Sequence, residues 1–232
     1  MVEDSVFDML ENVCFGVVVA WGMNNKTRTT MILEILERNI GEVFSNMGST
    51  KVKEHPKITP YREAFTRLGF NPNKFTPSVE ALLTRILKRG QIPGINNVVD
   101  LANAVSIKYI LPIGAHDMDL AGDDIKVRFT AEGDSFVPFG TTEAEFPEPG
   151  ELVYASGRNI KTRRWIWRQS ELGKITEKSS NIFFPIDGFT GVNEDAVKLA
   201  RDELAQELVN LLDCKVKVGF VDKHNPSMSL NF

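Results

Sequence analysis

Hydrophobic positions change their spacing along the chain, and each change marks a change of element. Val17 to Ala20 form an unbroken apolar run between Gly16 and Gly22, the pattern of a buried first strand. Over residues 27–47, Met31, Ile32, Ile35, Leu36, Ile40 and Val43 recur at helical spacing, which predicts a helix packing one face on a sheet. Residues 55–94 hold two more helices. Pro60 and Pro77 suit first-turn positions, Thr59 and Thr76 suit caps, and Gly69 and Gly90 suit helix ends. The stretch "INNVVDLANAVSIKYILP", residues 95–112, predicts a further helix that runs into an extended segment before Pro112.

The texture changes from Asp124. "IKVRFTAEGDSFVPFG", "GELVYASG", "TRRWIWRQS" and "SSNIFFPIDGF" are short β-rich runs separated by glycine or proline, which predicts an antiparallel sheet. Residues 193–214 return to helical spacing through Val197, Leu204, Leu208, Leu211 and Leu212, and "KVKVGFV" reads as a final strand. A helix-rich part, a strand-rich part and a closing helix and strand argue for an α+β fold, a β-sheet core flanked by helices, rather than an alternating parallel sheet. No repeat or low-complexity linker divides residues 1–232, so a single compact domain is expected.

Composition narrows the function classes. The 232 residues carry a net charge of −4, so bulk charge does not draw the protein to phosphates, and nucleic-acid binding requires a local basic patch. The acidic start and short apolar run at the N-terminus are unlike a signal peptide, and no apolar segment reaches bilayer length; a cytoplasmic protein with no membrane partner is expected. Cys14 and Cys214 lie near opposite ends without metal-ligand spacing, which predicts two reduced, buried thiols. Phosphate-loop, dinucleotide, HExxH and GxSxG motifs are absent, and nothing in the sequence calls for a metal or another cofactor.

Three stretches carry chemistry. In "LPIGAHDMD", residues 111–119, His116 has carboxylate neighbours, but adjacent side chains on an extended chain point to opposite faces, which disfavours a metal site. In "RNIKTRRWIWRQS" a cluster of basic residues is interleaved with Trp165 and Trp167. On a continuous strand the two tryptophans would share one face with Arg163, leaving Arg164, Ile166 and Arg168 on the other, a ribbon able to pair phosphates and stack a base. The plainer reading buries the tryptophans and leaves the arginines exposed or ion-paired. In "NNVVDLANAVS", Asp100 and Asn103 stand about one helical turn apart, as a ligand pair or as packing and capping groups.

Taken in order, "INNVVDLANAV", "LPIGAHDMD", "IKVRFTAEGDSF" and "GELVYAS" resemble the B3/B4 tRNA-binding and editing domain of the phenylalanyl-tRNA synthetase beta subunit. With "PYREAFTRLGFNPNKFTPSVEALLTRIL" upstream and "TRRWIWRQS" downstream, the free-standing members of that family are the nearer match, over roughly residues 50–190. The resemblance implies an α+β domain that holds the aminoacylated 3′ end of tRNA, not DNA, and hydrolyses a wrongly attached aminoacyl ester in trans, without an aminoacylation core. It implies His116 and Asp117 as the catalytic pair, with Asp117 orienting the imidazole. Asn96, Asp100, Asn103 and Gly114 would lie along the RNA end. Trp167, Arg168 and Gln169 would complete that surface, with Arg163 and Arg164 toward phosphates.

The chain departs from the family pattern at two motif positions, and the family's glycine-rich segment carrying an editing glutamate has no clean counterpart, Trp167, Arg168, Gln169 and Ser170 standing near its place. Val98, Val99, Asp100 and Asn103 match the helix motif, but Ala102 stands where the family has threonine. Pro112, Ala115 and Asp117 match the turn, but Gly114 stands at the histidine position, and His116 follows two residues later, on the same face of an extended chain. Three readings therefore stand open: a trans-acting deacylase, a non-catalytic RNA-binding module, and a binder or hydrolase of small amino-acid derivatives.

Overall fold

The computed structural model describes residues 1–26, 29–47 and 51–229. Two antiparallel sheets face each other, with helices stacked behind the first. The strands are β1 (Val13–Trp21), β2 (His116–Asp117), β3 (Ile125–Phe129), β4 (Leu152–Ser156), β5 (Asn159–Arg163), β6 (Arg168–Gln169), β7 (Ile182–Phe189) and β8 (Lys215–Val221). One sheet has the order β2-β7-β1-β8 and the other β3-β4-β5-β6. The helices are α1 (Asp4–Met9), α2 (Thr30–Met47), α3 (Thr59–Arg67), α4 (Ser78–Arg89), α5 (Asn97–Tyr109) and α6 (Glu194–Leu212). The predicted α+β class is the observed one.

β1 lies inside its sheet and is covered on both faces, which explains an apolar run without alternation. Toward the second sheet, the Phe15 ring meets Tyr154 of β4 edge-on. On the opposite face α6 lies against Gly16 and Gly188. A Cβ at Gly188 would stand 2.3 Å from Val197 Cγ2, and one at Gly16 2.9 Å from Val197 Cγ1, so these glycines permit the close approach. The core is continuous from Val2 to Val221 across both sheets. Cys14 and Cys214 are buried and unbridged, and no helix among the described residues is long and apolar enough to cross a membrane.

Several local expectations change. α1 lacks a periodic signature because it is six residues long, too short to display one. Pro77 is the N-cap of α4 rather than a first-turn residue, and no side chain caps that end. Gly90 ends α4 in the left-handed conformation, φ 75°, as its position predicts. The largest correction concerns residues 162–170, which form a hairpin instead of one strand. β5 stops at Arg163, Arg164 and Trp165 take positive φ of 45° and 59°, and β6 resumes at Arg168. The chain therefore turns between the tryptophans, and their period-two alternation is lost. Trp165 is wholly buried while Trp167 stays half-buried.

Candidate functional site

The extended chain after α5 builds one wall of a cleft. Residues 112–118 run antiparallel to β7. Asp187 N donates to Pro112 O, Gly114 N to Pro185 O and Met118 N to Asn181 O, and His116 pairs with Phe183. This pairing places Gly114 and His116 on one face, as their spacing predicts. The β5–β6 hairpin forms the facing wall. Its tip is fixed by Trp165 N donating to Leu152 O and by Ser78 N, at the start of α4, donating to Ile166 O. Between them lies a cleft of about 100 Å³, lined by Gly114, His116, Trp167, Arg168 and Gln169 together with Tyr154, Trp165, Pro185 and Asp187. That volume holds several waters or a small acyl group.

His116 is 2% exposed and stacks between Tyr154 and Phe183, with ring centroids 5.6 and 6.0 Å away. Its Nδ1 is buried without a hydrogen-bond partner among the described residues. Burial, assisted by the nearby Lys161 ammonium, pushes the imidazole down to about 3, so it is neutral at physiological pH. A Cβ on Gly114 would lie 3.1 Å from His116 Nε2 and 3.0 Å from Pro185 Cγ. The imidazole of His116 thus occupies space that a side chain at position 114 would need, which accounts physically for a glycine there.

Asp117 faces elsewhere. One carboxylate oxygen accepts from Ser179 Oγ and the other from Asp119 N. The expected contact with the imidazole is absent, because neighbours on β2 point to opposite faces. Gln169 is held from below by its amide nitrogen, which donates to Ala115 O at 2.6 Å and Gly173 O at 3.1 Å; its side-chain oxygen has no partner among the described residues.

Asp187 is the cleft residue that motif reading passes over. It sits in β7 within "FFPIDGF", a lone carboxylate in a fully buried strand. Such a residue must be partnered or functional, and that is the signal available in the sequence. Tyr154 OH and Trp165 Nε1 both donate to its Oδ1, each at 2.6 Å. Tyr61 OH donates to its main-chain oxygen at 2.8 Å. Burial pushes the carboxyl up to about 7, against the two donors that favour its charged form.

The remaining predicted residues do not line the cleft. Asn96 caps α5 by accepting from Val99 N, and Asp100 Oδ1 accepts from Ile95 N, so both shape the entry to that helix. Asn103 is half-buried on α5. Arg163 grips Glu151 through Nε at 2.7 Å and Nη2 at 2.9 Å, with Nη1 on Glu145 at 2.6 Å. Arg164 Nη2 lies 3.2 Å from Glu151, and its guanidinium covers the Phe75 ring at 3.8 Å. Arg168 is exposed, stacks over Trp167 at 5.4 Å and makes no ion pair among the described residues. Helix α4 presents Arg85, Lys88 and Arg89, all exposed, along a groove. No cluster of three metal-ligating side chains occurs among the described residues.

Comparison with known proteins places the chain in a family. The model of the B3/4 domain matches residues 60–211. The Phenylalanine--tRNA ligase beta subunit of Streptococcus pneumoniae is 28% identical over 116 residues, 50% of this chain and 14% of that protein. The subunit of the same name from Gloeobacter violaceus is 35% identical over 85 residues, 36% of this chain and 11% of that protein. An N-terminal fragment of the phenylalanyl-tRNA synthetase beta subunit from Pyrococcus horikoshii aligns with 93% of this chain and 49% of its own, at 12% identity and a TM-score of 0.48. The chain therefore spans a small part of the beta subunits it matches, and the part it shares defines its membership: this protein belongs to the B3/4 domain family.

Proposed function

We propose that the protein binds the aminoacylated 3′ end of tRNA and hydrolyses the aminoacyl ester in trans. The observation that carries this reading is the cleft between residues 112–118 and the β5–β6 hairpin, where five of the residues singled out from sequence meet. An aminoacyl ester is already activated, so the site need only fix the ester, place a water and supply hydrogen bonds to the developing oxyanion. His116 serves as a neutral hydrogen-bonding group on the cleft wall, since an imidazole held near 3 is a poor base at physiological pH. Gln169, fixed through its nitrogen, offers its free oxygen to a water. Trp167, half-buried and shared with the Arg164 and Arg168 guanidinium groups, offers the exposed part of its ring to the terminal base. Phosphates run from Arg168 along Arg85, Lys88 and Arg89, which make no ion pair among the described residues, rather than over Arg163 and Arg164.

The test incubates a panel of aminoacyl-tRNAs, correctly and wrongly charged, with wild type, His116→Ala and Gln169→Ala. The expected outcome is that wild type shortens the lifetime of one class of ester and both variants slow that hydrolysis. Ester lifetimes equal with and without wild type, alongside salt-sensitive tRNA binding, would convert the protein into a non-catalytic RNA-binding module. Cytoplasmic action follows from this role and is part of the same proposal.

A further inference from the structure

Within that reading, the deepest part of the cleft indicates which end of the acyl group enters first. The Asp187 carboxylate is fixed on all sides but one. Its main-chain N–H donates to Pro112 O and its main-chain oxygen accepts from Tyr61, while Oδ1 takes the Tyr154 and Trp165 donors. Both hydrogen bonds to the carboxylate go to Oδ1, none among the described residues reaches Oδ2, and Asp187 forms part of the cleft wall. Around it the same wall is aromatic: Tyr154, Trp165, Trp167 and the neutral His116. A buried carboxylate with a free oxygen calls for a counter-ion. Electron-rich ring faces favour a cation over a neutral donor. A primary ammonium is compact, with three donors on one nitrogen, and fits where a planar guanidinium does not.

We propose that Asp187 is the seat of a substrate ammonium, so that the cleft selects aminoacyl groups with a free α-amine and rejects those whose amine is blocked. This inference rests on the aminoacyl-ester reading of the cleft but adds a group and a specificity to it. The cation at the mouth, Arg168, faces the opposite end of the ligand, where an ester continues into the phosphates of the RNA. The direction of insertion follows: ammonium inward, ester toward His116 and Gln169, ribose outward.

The small-molecule test separates this inference from the tRNA chemistry. L-alaninamide, L-serinamide and L-phenylalaninamide, each with its N-acetyl counterpart, are titrated into the full chain at pH 7.5 by calorimetry. At least one free amine is expected to bind about tenfold or more tightly than its acetylated partner, and Asp187→Asn to remove that preference, the loss of a buried charge pair. The acetylated pair tests wild type directly, so the result does not depend on the variant folding. Lowering the pH from 7 to 5 supplies a second arm. Asp187, pushed up to about 7, takes a proton while the amine stays charged, and affinity falls by up to about tenfold per pH unit below 7.

The groups packed around Asp187 do not confuse that arm. Tyr61 and Tyr154 are raised by burial, Cys14 is pushed up to about 12, and all three stay neutral. His116 is held down near 3 and stays neutral. Equal affinity for free and acetylated amides, or no saturable binding of any free amide, overturns the inference. A protein that prefers free amines yet leaves every aminoacyl-tRNA ester intact retains the ammonium seat and loses the deacylase reading.

Discussion

The β5–β6 hairpin has two sides that treat charge in opposite ways. On one, Arg163 and Arg164 converge on Glu151, with Glu145 and the Phe75 ring completing the set, so that every guanidinium is partnered and largely covered. On the other, among the described residues, Asp187 keeps an unpaired oxygen and His116 a buried nitrogen without a partner. The saturated side is what a structural ion-pair cluster looks like. The unsaturated side carries the desolvation cost of polar groups without the return that protein partners would give, and folds retain such groups where a ligand supplies the missing partner. Density of charged residues in the sequence therefore points to the wrong face of the hairpin.

Substitutions on the two sides sharpen that contrast, beginning with the residue both sides share. Trp165 fills the core beneath the turn and donates to Asp187. Trp165→Ala is expected to destabilise the protein by about 3–5 kcal/mol in denaturant titration, from lost burial and the cavity left behind. Glu151→Gln strips two half-buried arginines of their carboxylate and is expected to cost about 2–4 kcal/mol, with tRNA binding per folded molecule unchanged. If Glu151→Gln weakens tRNA binding at unchanged stability, the saturated side is not merely structural.

The pH dependence of stability divides the two unsaturated groups by sign. His116 is depressed from 6.5 to about 3, so the unfolded chain binds its proton more readily and the native state gains stability as pH rises from about 3 to 6.5. Asp187 is raised from 3.8 to about 7, so it does the reverse, and stability falls as pH rises from about 4 to 7. In wild type the two slopes oppose each other between about 4 and 6.5. Asp187→Asn should expose a midpoint that climbs with pH, and His116→Phe one that declines. Identical slopes in wild type and both variants would remove the two groups from the account.

Smaller effects complete the series. Arg168→Ala and Lys88→Ala are each expected to weaken tRNA binding across sequences and to reduce the slope of log affinity against log salt by about 1. Arg163→Ala should leave that slope alone. Gly114→Ala crowds Pro185 and His116, and is expected to cost about 1 kcal/mol while disturbing the imidazole.

How far these features were legible depended on whether a local pattern or a distant contact decides them. Strand β1, the helices from α2 to α6 and the shared face of Gly114 and His116 follow from period alone, because one residue's neighbours a few places along determine its side. The hairpin at residues 164–167 does not. Positive φ at Arg164 and Trp165 is unfavourable locally and is imposed by the core that receives the indole and by Leu152 O, which accepts from Trp165 N. Asp117 was misplaced for a related reason, its partner Ser179 being remote in sequence, whereas Arg163 and Arg164 follow the plainer reading and are ion-paired to Glu151. Asp187 was visible as an acid in an apolar strand, but its tie to Tyr154 and Trp165 becomes readable only after both sheets are assembled.

The contrast between the hairpin's two sides is tested most directly by a crystal structure with a non-hydrolysable aminoacyl-adenosine, its ester replaced by an amide. The account predicts the ammonium against Asp187 Oδ2, the carbonyl near His116 and Gln169, and the adenine on Trp167. A ligand seated instead over Arg163 and Arg164, or in another pocket with the cleft closed, would contradict it.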